Sequence, residues 1–270
     1  MANSSNNSSN KLPAQTGWLW VKQGFALFRK QPAEMSTLFL SYMFIMFGIG
    51  IIPVIGQLLP LILVPVFSMG FMQACVEIEQ GRRVYPNLLL TGFRSPAFFT
   101  LLKLGGLYLL AAVLAVAASS VIDGGVFWQV MSGQIELKEE TIAGSNMSAA
   151  ILVTAALYVP AAMAFWYAAP LAMWQKMGLF KAVFYSFFAV HRAGKAFLVY
   201  GLAWAALGVV LPTIVSILFA AIVGKAGAAM LLMLPLSIVL TVVMYCSFYP
   251  TYTGIFGRPE LPSADQELQK

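Results

Sequence analysis

The run from Met35 to Val76, MSTLFLSYMFIMFGIGIIPVIGQLLPLILVPVFSMGFMQACV, decides the fold because it contains no charged residue in 42 positions. One helix that crosses a membrane needs about 20 apolar residues. The run is therefore long enough for two helices, and the proline and glycine at 53–57 predict the break between them. Two shorter re-entrant arms fit the same run, because protein can bury non-helical backbone within a membrane.

The composition of the whole chain leads to the same class of protein. Of its 270 residues, 60% are apolar and 10% are charged, whereas a soluble domain averages about 25% charged residues. This small number of polar side chains cannot cover the surface of a soluble fold. We therefore predict an integral membrane protein. Cys75 and Cys246 lie in apolar runs and His191 is the single histidine, which argues against a disulfide framework and a histidine metal site.

Further apolar runs bring the predicted number of spans to six. We expect an all-α integral membrane fold of three helical hairpins. The predicted boundaries are a disordered polar tail at 1–16, a membrane domain at 17–257 and a cytoplasmic tail at 258–270. Within the membrane domain the spans are expected at about 35–52, 58–76, 104–122, 149–173, 196–223 and 227–250.

The positions of the basic residues predict the orientation. With the N-terminus on the cytoplasmic side, 14 of the 16 Lys and Arg residues fall on that side, and Lys138 and Lys225 fall on the other. Cytoplasmic loops of membrane proteins carry such an excess of positive charge. Both termini are therefore expected in the cytoplasm. The net charge of +6 is explained by these loops and does not indicate a nucleic-acid partner.

A segment rich in aromatic residues and ending near a basic residue precedes each predicted hairpin. The three segments are 18–30, 85–96 and 174–195. In the first, four apolar residues recur at helical spacing: Trp18, Val21, Phe25 and Phe28. We interpret the segments as amphipathic helices at the inner leaflet. The three segments are either a threefold repeat or the result of the general preference of aromatic and basic residues for this interface in multi-pass proteins.

Basic side chains on these segments are predicted to contact the headgroups of anionic lipids. The predicted contacts are Arg29, Lys30, Arg94, Lys181, Arg192 and Lys195. Small residues also recur every three or four positions on three helices, which lets a neighbouring helix approach closely. The stripes are Gly178, Ala182 and Ser186, then Ala111, Ala115 and Ser119, and finally Gly201, Ala205 and Gly208.

The predicted spans contain no ionisable residue at depth. Such residues mark proton and ion pathways, and intramembrane enzymes need a catalytic pair there. We therefore expect no enzyme, no cofactor and no metal site. Prolines within the spans could break helices and free backbone groups that bind a solute, or could simply kink helices for packing. The candidate solute residues are Gln57, Pro60, Tyr158, Pro160 and Tyr245.

The stretch that begins Ala169-Pro170-Leu171, continues through Gly178 and 182–186 and ends at 197–202 resembles a pattern in uncharacterised six-helix inner-membrane proteins of bacteria. That set includes the YciC-like proteins and the membrane domain attached to some glycerophosphodiester phosphodiesterases. Gly17-Trp18 with Phe28-Arg29, and Gly92-Phe93-Arg94, are similar to a proteobacterial subfamily of it. The resemblance implies six spans and a location in the bacterial inner membrane. It carries over no catalytic residue, because the phosphodiesterase chemistry belongs to a separate soluble domain.

Two functions agree with these patterns. The first is a non-enzymatic inner-membrane protein that acts in the envelope through anionic lipids, a second copy of itself or a membrane-protein partner. The alternative is a permease or channel for a neutral or lipid-like solute that uses the proline-broken helices.

Overall fold

The computed structural model describes residues 12–53, 55–136, 146–223 and 226–259, and the regular elements in these ranges are helical. Most of the two predicted tails falls outside the described residues, as do Lys138 and Lys225. The side chain of Gln57, one of the candidate solute residues, also falls outside the described part of the chain.

Twelve α-helices occupy the described ranges. They are α1 Gln15–Lys30, α2 Pro32–Gly50, α3 Ile55–Glu79, α4 Thr91–Arg94, α5 Phe98–Asp123, α6 Val126–Met131, α7 Met147–Phe165, α8 Ala168–Trp174, α9 Leu179–Arg192, α10 Gly194–Ala205, α11 Leu211–Val223 and α12 Ala226–Phe256. A 3₁₀-helix at Pro86–Leu90 precedes α4, and a π-helical turn at Ala206–Val210 joins α10 to α11.

Six helical stretches in the described ranges are long and apolar enough to cross a membrane, which confirms the predicted number. They are Pro32–Gly50, Leu58–Glu79, Phe98–Asp123, Met147–Trp174, Gly194–Phe219 and Met233–Phe256. The charge-free run is two helices, because α2 ends at Gly50 and α3 begins at Ile55. In the fifth stretch, none of the most apolar 18 residues is buried within the chain. A helix that is apolar on every side and not covered by protein requires an apolar surrounding.

The chain divides into two compact units. The first takes its described residues from 1–45, 67–91 and 189–270, and the second takes them from 46–66 and 92–188.

In the first unit, α1 packs against α10 and α12 at two glycines. A Cβ atom built on Gly24 would lie 2.5 Å from the Cβ of Ser247, and one built on Gly17 would overlap the carbonyl oxygen of Ala196. Only a residue without a side chain permits such close approach of two helices. Trp20, 1% exposed, lies on the same face between the two glycines.

The face of α1 that packs within the chain only partly overlaps the apolar face indicated by the sequence. Of the four predicted apolar positions, Val21 is buried whereas Trp18 is 46% exposed. The buried residues of α1 are Gly17, Trp20, Val21, Gly24 and Leu27. The periodicity of apolar side chains does not indicate this packed face, because the closest contacts of α1 are made by glycines.

In the second unit, α5 packs against α7. Ala115 and Ser119 on α5 are buried, so the small-residue stripe predicted there is confirmed as a packing surface. The hydroxyl of Tyr108 on α5 donates a hydrogen bond of 3.1 Å to the carbonyl oxygen of Phe165, and the two rings stack with centroids 4.6 Å apart.

Two residues of the stripe predicted at 178–186 pack, and one of them holds a break in the preceding helices. Ala182 and Ser186 on α9 are buried, whereas Gly178 precedes α9, is exposed and has nothing within 4 Å of a Cβ built on it. The hydroxyl of Ser186 accepts a 2.8 Å hydrogen bond from the backbone N–H of Tyr167 and donates a 2.9 Å bond to the carbonyl oxygen of Met163. These two groups flank the end of α7 and the start of α8, so Ser186 satisfies backbone groups that the break leaves free.

The third predicted stripe does not pack within the described chain. None of its three residues is buried: Gly201, Ala205 and Gly208. The prediction that this stripe packs against another helix is therefore wrong within a single chain. The segment 85–96, predicted as one amphipathic helix, is a 3₁₀-helix followed by the single turn of α4. Pro86 at its start and Pro96 after its end leave room for only short helices.

Asp123 has a structural role at the end of α5. Its carboxylate accepts hydrogen bonds from the backbone N–H groups of Gly125 at 2.9 Å and Phe127 at 2.6 Å. These N–H groups lie at the start of α6, where a negative side chain is stabilising because the first N–H groups of a helix have no partner within it. Asp123 therefore caps α6.

Candidate functional site

All six predicted headgroup contacts are at least partly exposed. Arg29 and Lys30 form the last turn of α1, Arg94 ends α4 and Lys181 lies on α9. The remaining two, Arg192 and Lys195, flank the junction of α9 and α10. On α9, the ammonium group of Lys181 lies 5.9 Å from the ring centre of Tyr185, and the exposed stripe contains Phe180, Phe184 and Phe188.

Other arginines are paired with carboxylates. In the described part of the chain, the ion pairs join Arg82 to Glu77, Arg83 to Glu34 at 3.2 Å, and Arg258 to Glu79 at 3.2 Å. None of the six predicted headgroup contacts belongs to these pairs. Their charge therefore remains available to an external anion.

A glutamine fixes the loop that carries two of the paired arginines. The side-chain amide of Gln31 donates a 2.6 Å hydrogen bond to the carbonyl oxygen of Arg82 and accepts a 2.9 Å bond from the N–H of Val84. Gln31 sits between α1 and α2, so this loop is held against the start of α2. The hydrogen bonds of Gln31 therefore fix this loop, while the two exposed arginine side chains contribute little to stability.

Glu79 is the centre of a polar cluster at the ends of two spanning helices. The hydroxyl of Tyr249 donates a 2.9 Å hydrogen bond to its carboxylate, and Arg258 pairs with the same oxygen. Glu79 is the last residue of α3, and Arg258 lies two residues beyond the end of α12. Tyr249 is 1% exposed, so the cluster has a buried side and a side open to the surroundings.

A groove of about 470 Å³ in the first unit opens beside this cluster. Its polar lining consists of Thr16, Gln23, Lys30, Glu79, Tyr249, Thr253 and Arg258, and its apolar lining of Leu19, Trp20, Ala26, Leu27, Pro250 and Gly254. Residues of α1 form one wall and residues of α12 the other. Sequence reasoning identified Lys30 but missed Glu79, Tyr249 and Arg258, because nothing local in the sequence relates three residues that lie on different helices.

The candidate solute residues are placed as follows. Tyr158 and Pro160 lie on α7 and are exposed, and Pro60 on α3 is half-buried. Tyr245 belongs to the first unit, where its ring stacks on Phe71 with centroids 4.3 Å apart. The other four residues belong to the second unit.

A second cavity, of about 230 Å³, lies beside the π-helical turn in the first unit. It is lined by Trp204, Gly208, Pro212, Met233, Ser237, Leu240, Thr241 and Met244. The indole of Trp204 lies beside Tyr200, with ring centroids 6.5 Å apart, and its N–H is buried. Pro212 has no N–H to offer the carbonyl groups of the turn before it.

Neither cysteine joins a cluster of metal ligands. Cys75 and Cys246 are buried free thiols, and the thiol of Cys75 lies 4.0 Å from the carbonyl oxygen of Cys246. Across the described ranges, no three His, Cys, Asp or Glu side chains are grouped so as to hold a metal ion.

The chain is similar to a bacterial membrane protein over almost all of its length. A protein of Burkholderia thailandensis named "Probable inner membrane protein" is 39% identical over an alignment of 263 positions that covers 94% of this chain and 97% of that protein. No protein-family model matches the chain. No solved structure matches it either.

Proposed function

Since the chain belongs to the family of the Burkholderia thailandensis inner-membrane protein and is a multi-pass inner-membrane protein, we propose that it acts without catalysis, by binding anionic lipids on the cytoplasmic face of that membrane. The proposal includes cytoplasmic N- and C-termini, amphipathic segments at the inner leaflet and membership of the wider six-helix set that includes the YciC-like proteins. The distribution of 14 basic residues against two supports the orientation.

The observation that carries the proposal is the state of six basic side chains. Arg29, Lys30, Arg94, Lys181, Arg192 and Lys195 are accessible and lie outside the ion pairs of the described residues. A basic residue near an anionic leaflet contributes about 1 kcal/mol of attraction. The exposed phenylalanine stripe on α9 supports the same placement, because apolar side chains next to lysine are typical of helices at a membrane surface.

The test is to neutralise two of these arginines in the full-length protein. In R29Q/R192Q we expect the retention of phosphatidylglycerol during mild extraction to fall by about fivefold for each arginine, since 1.4 kcal/mol corresponds to tenfold. The matched control is R82Q/R83Q, which removes the same net charge from arginines that are already paired. Equal lipid retention by both doubles would refute the proposal, because only total charge would then matter.

A second candidate function is a permease for a neutral solute, and the cavity beside the π-helical turn favours it. Pro212, which has no backbone N–H, lies within a spanning helix and lines this cavity, and such breaks can leave backbone groups free to bind a solute. Proteoliposomes with the wild-type protein should then swell faster in glycerol than empty vesicles, and G208L, which fills the cavity, should abolish the difference. Equal swelling of wild type and G208L would exclude transport through this cavity.

A second copy of the chain or a membrane-protein partner is also part of the proposal. Its support is the uncovered stripe of Gly201, Ala205 and Gly208, a pattern typical of helix contacts in membranes. Cross-linking in native membranes should give a discrete dimer or heterodimer, and G201L should remove it.

A further inference from the structure

We propose that the groove between α1 and the end of α12 is a binding site for one anionic glycerophospholipid, with its phosphate held by Lys30 and Arg258. This inference rests on the proposed function and gives it a specific site. Whereas the six accessible basic residues would attract many lipids loosely, the groove would hold one lipid in a defined place.

The groove lies where a phospholipid headgroup would be. The span Leu58–Glu79 ends at Glu79 and the span Met233–Phe256 ends two residues before Arg258. Because Nε of Arg258 lies 3.2 Å from a carboxylate oxygen of Glu79, the ends of the two spans lie within reach of each other's side chains. The ends of spans lie at the boundary between the hydrocarbon core and the headgroups, so we infer that the groove is at this boundary.

The charges of the groove favour a ligand with one negative charge. Lys30 and Arg258 are positive and Glu79 is the negative group in its lining. Glu79 is held in place by the hydroxyl of Tyr249 and by Arg258 itself, so one guanidinium edge is oriented while 79% of the Arg258 side chain is exposed. An oriented guanidinium with an ammonium group nearby suits a phosphate, which takes charge-assisted hydrogen bonds from both.

The rest of the lining suits the remainder of such a lipid. The hydroxyls of Thr16 and Thr253 and the amide of Gln23 can bond with the ester groups or with a polyhydroxyl headgroup. Leu19, which is 45% exposed, and Ala26 offer apolar surface to the start of an acyl chain. At about 470 Å³ the groove also falls in the range of small-molecule sites.

Charge also distinguishes between phospholipids. A zwitterionic lipid would bring an ammonium group next to Lys30 and Arg258, and Glu79 is already occupied by two partners. Phosphatidylglycerol brings a single phosphodiester charge and neutral hydroxyls. The groove should therefore select phosphatidylglycerol over phosphatidylethanolamine and phosphatidylcholine.

Native mass spectrometry of the full-length protein in mild detergent tests this inference. With added phosphatidylglycerol, wild type should keep one lipid after the loosely held lipids are stripped, and phosphatidylcholine should not replace it. In K30Q/R258Q the affinity for this lipid should fall by about tenfold for each cation removed. The control K22Q/R83Q removes the same charge from α1 and from a paired arginine outside the groove, and should keep the lipid.

A third variant keeps the inference testable if the double variant does not fold. Q23W adds volume to the groove without changing its charge, and Gln23 is exposed, so folding should tolerate it. Loss of the retained lipid in Q23W supports the site. Retention of one phosphatidylglycerol by folded Q23W, with wild-type affinity, would overturn it.

The outcomes also separate a lipid from a free phosphate ester and separate this inference from the proposed function. If glycerol 3-phosphate binds as tightly as phosphatidylglycerol, the lipid assignment is wrong. If K30Q/R258Q keeps its one lipid while R29Q/R192Q loses loosely held ones, the groove is wrong and the proposed function stands. If no variant changes the preference for phosphatidylglycerol, both the lipid site in the groove and the proposed function are wrong.

Discussion

Two adjacent glycines on α5 provide the sharpest test of the packing. A Cβ atom built on Gly105 would lie 2.7 Å from the Cα of Ile62 and closer still to its carbonyl oxygen, whereas one built on Gly106 meets nothing within 4 Å. G105A should therefore destabilise the second unit and G106A should not. The two variants share helix, depth in the membrane and chemistry, so they form a matched pair.

The size of the effect follows from the distances. The methyl group that G105A adds could reach an ordinary contact of 3.4 Å with the Cα of Ile62 only if the two backbones separated by at least 0.7 Å. Overpacking costs about 1–3 kcal/mol, and the upper end applies because the obstacle is backbone, which cannot rotate away. The gain in helix propensity from glycine to alanine, about 1 kcal/mol, is common to both variants and cancels. We expect a difference of about 3 kcal/mol between them.

Thermal unfolding in one detergent at a fixed scan rate measures the difference. At about 2–4 °C per kcal/mol for a chain of this size, G105A should melt about 6–12 °C below G106A. G106A should melt at or slightly above the temperature of the wild type. Melting temperatures of the two variants within about 2 °C of each other would refute the close approach of α3 and α5 at this point.

Three further substitutions test other contacts. S186A should lower stability by about 1–3 kcal/mol in thermal unfolding, because the buried N–H of Tyr167 loses its acceptor. Y249F should lower the free energy of unfolding by only about 1 kcal/mol, because Glu79 keeps its arginine partner and its side chain is 27% exposed to solvent. G24A should cost about 1–3 kcal/mol and raise hydrogen exchange in α1, because the added methyl group displaces that helix from α12.

Each of these has a control at a site that lacks the contact. Ser120 bonds within its own helix, Tyr185 is exposed and Gly48 has nothing within 4 Å of a built Cβ. S120A, Y185F and G48A should therefore stay within about 0.5 kcal/mol of the wild type or gain stability from propensity. If a control variant loses as much stability as the test variant that it is matched to, the contact assigned to the test residue is wrong.

The six spans could be predicted because they depend on a local property. A run such as 35–76 has no charge and cannot be placed in water, whatever its neighbours. Two of the three small-residue stripes could be predicted for a similar reason, since small side chains in register on one helix face allow close packing. The third stripe, at Gly201, shows that small residues on one face allow a helix to pack closely but do not indicate which helix packs there.

The face of α1 and the groove could not be predicted in this way. Gly17 and Gly24 matter because of Ala196 and Ser247, which are far away in the chain, and no periodicity relates them. The groove likewise requires Glu79 and Arg258 to meet, although each by itself is an ordinary charge at a helix end. Single-sequence patterns report on one helix at a time, and these features exist only between helices.

The contact between Gly24 and Ser247 also sets an order of events during synthesis. About 220 residues separate them, so at 5–20 residues per second the ribosome needs roughly 10–45 s after making α1 to complete its partner. During that interval Trp20 and Val21 have no part of α12 to cover them, and the nascent helix must rest on the bilayer or on a chaperone. The packing of the first unit is therefore completed last, when α12 contacts α1, although this unit contains the first helix made. A defect at Gly24 should consequently appear as rapid degradation of finished chains that have already been inserted.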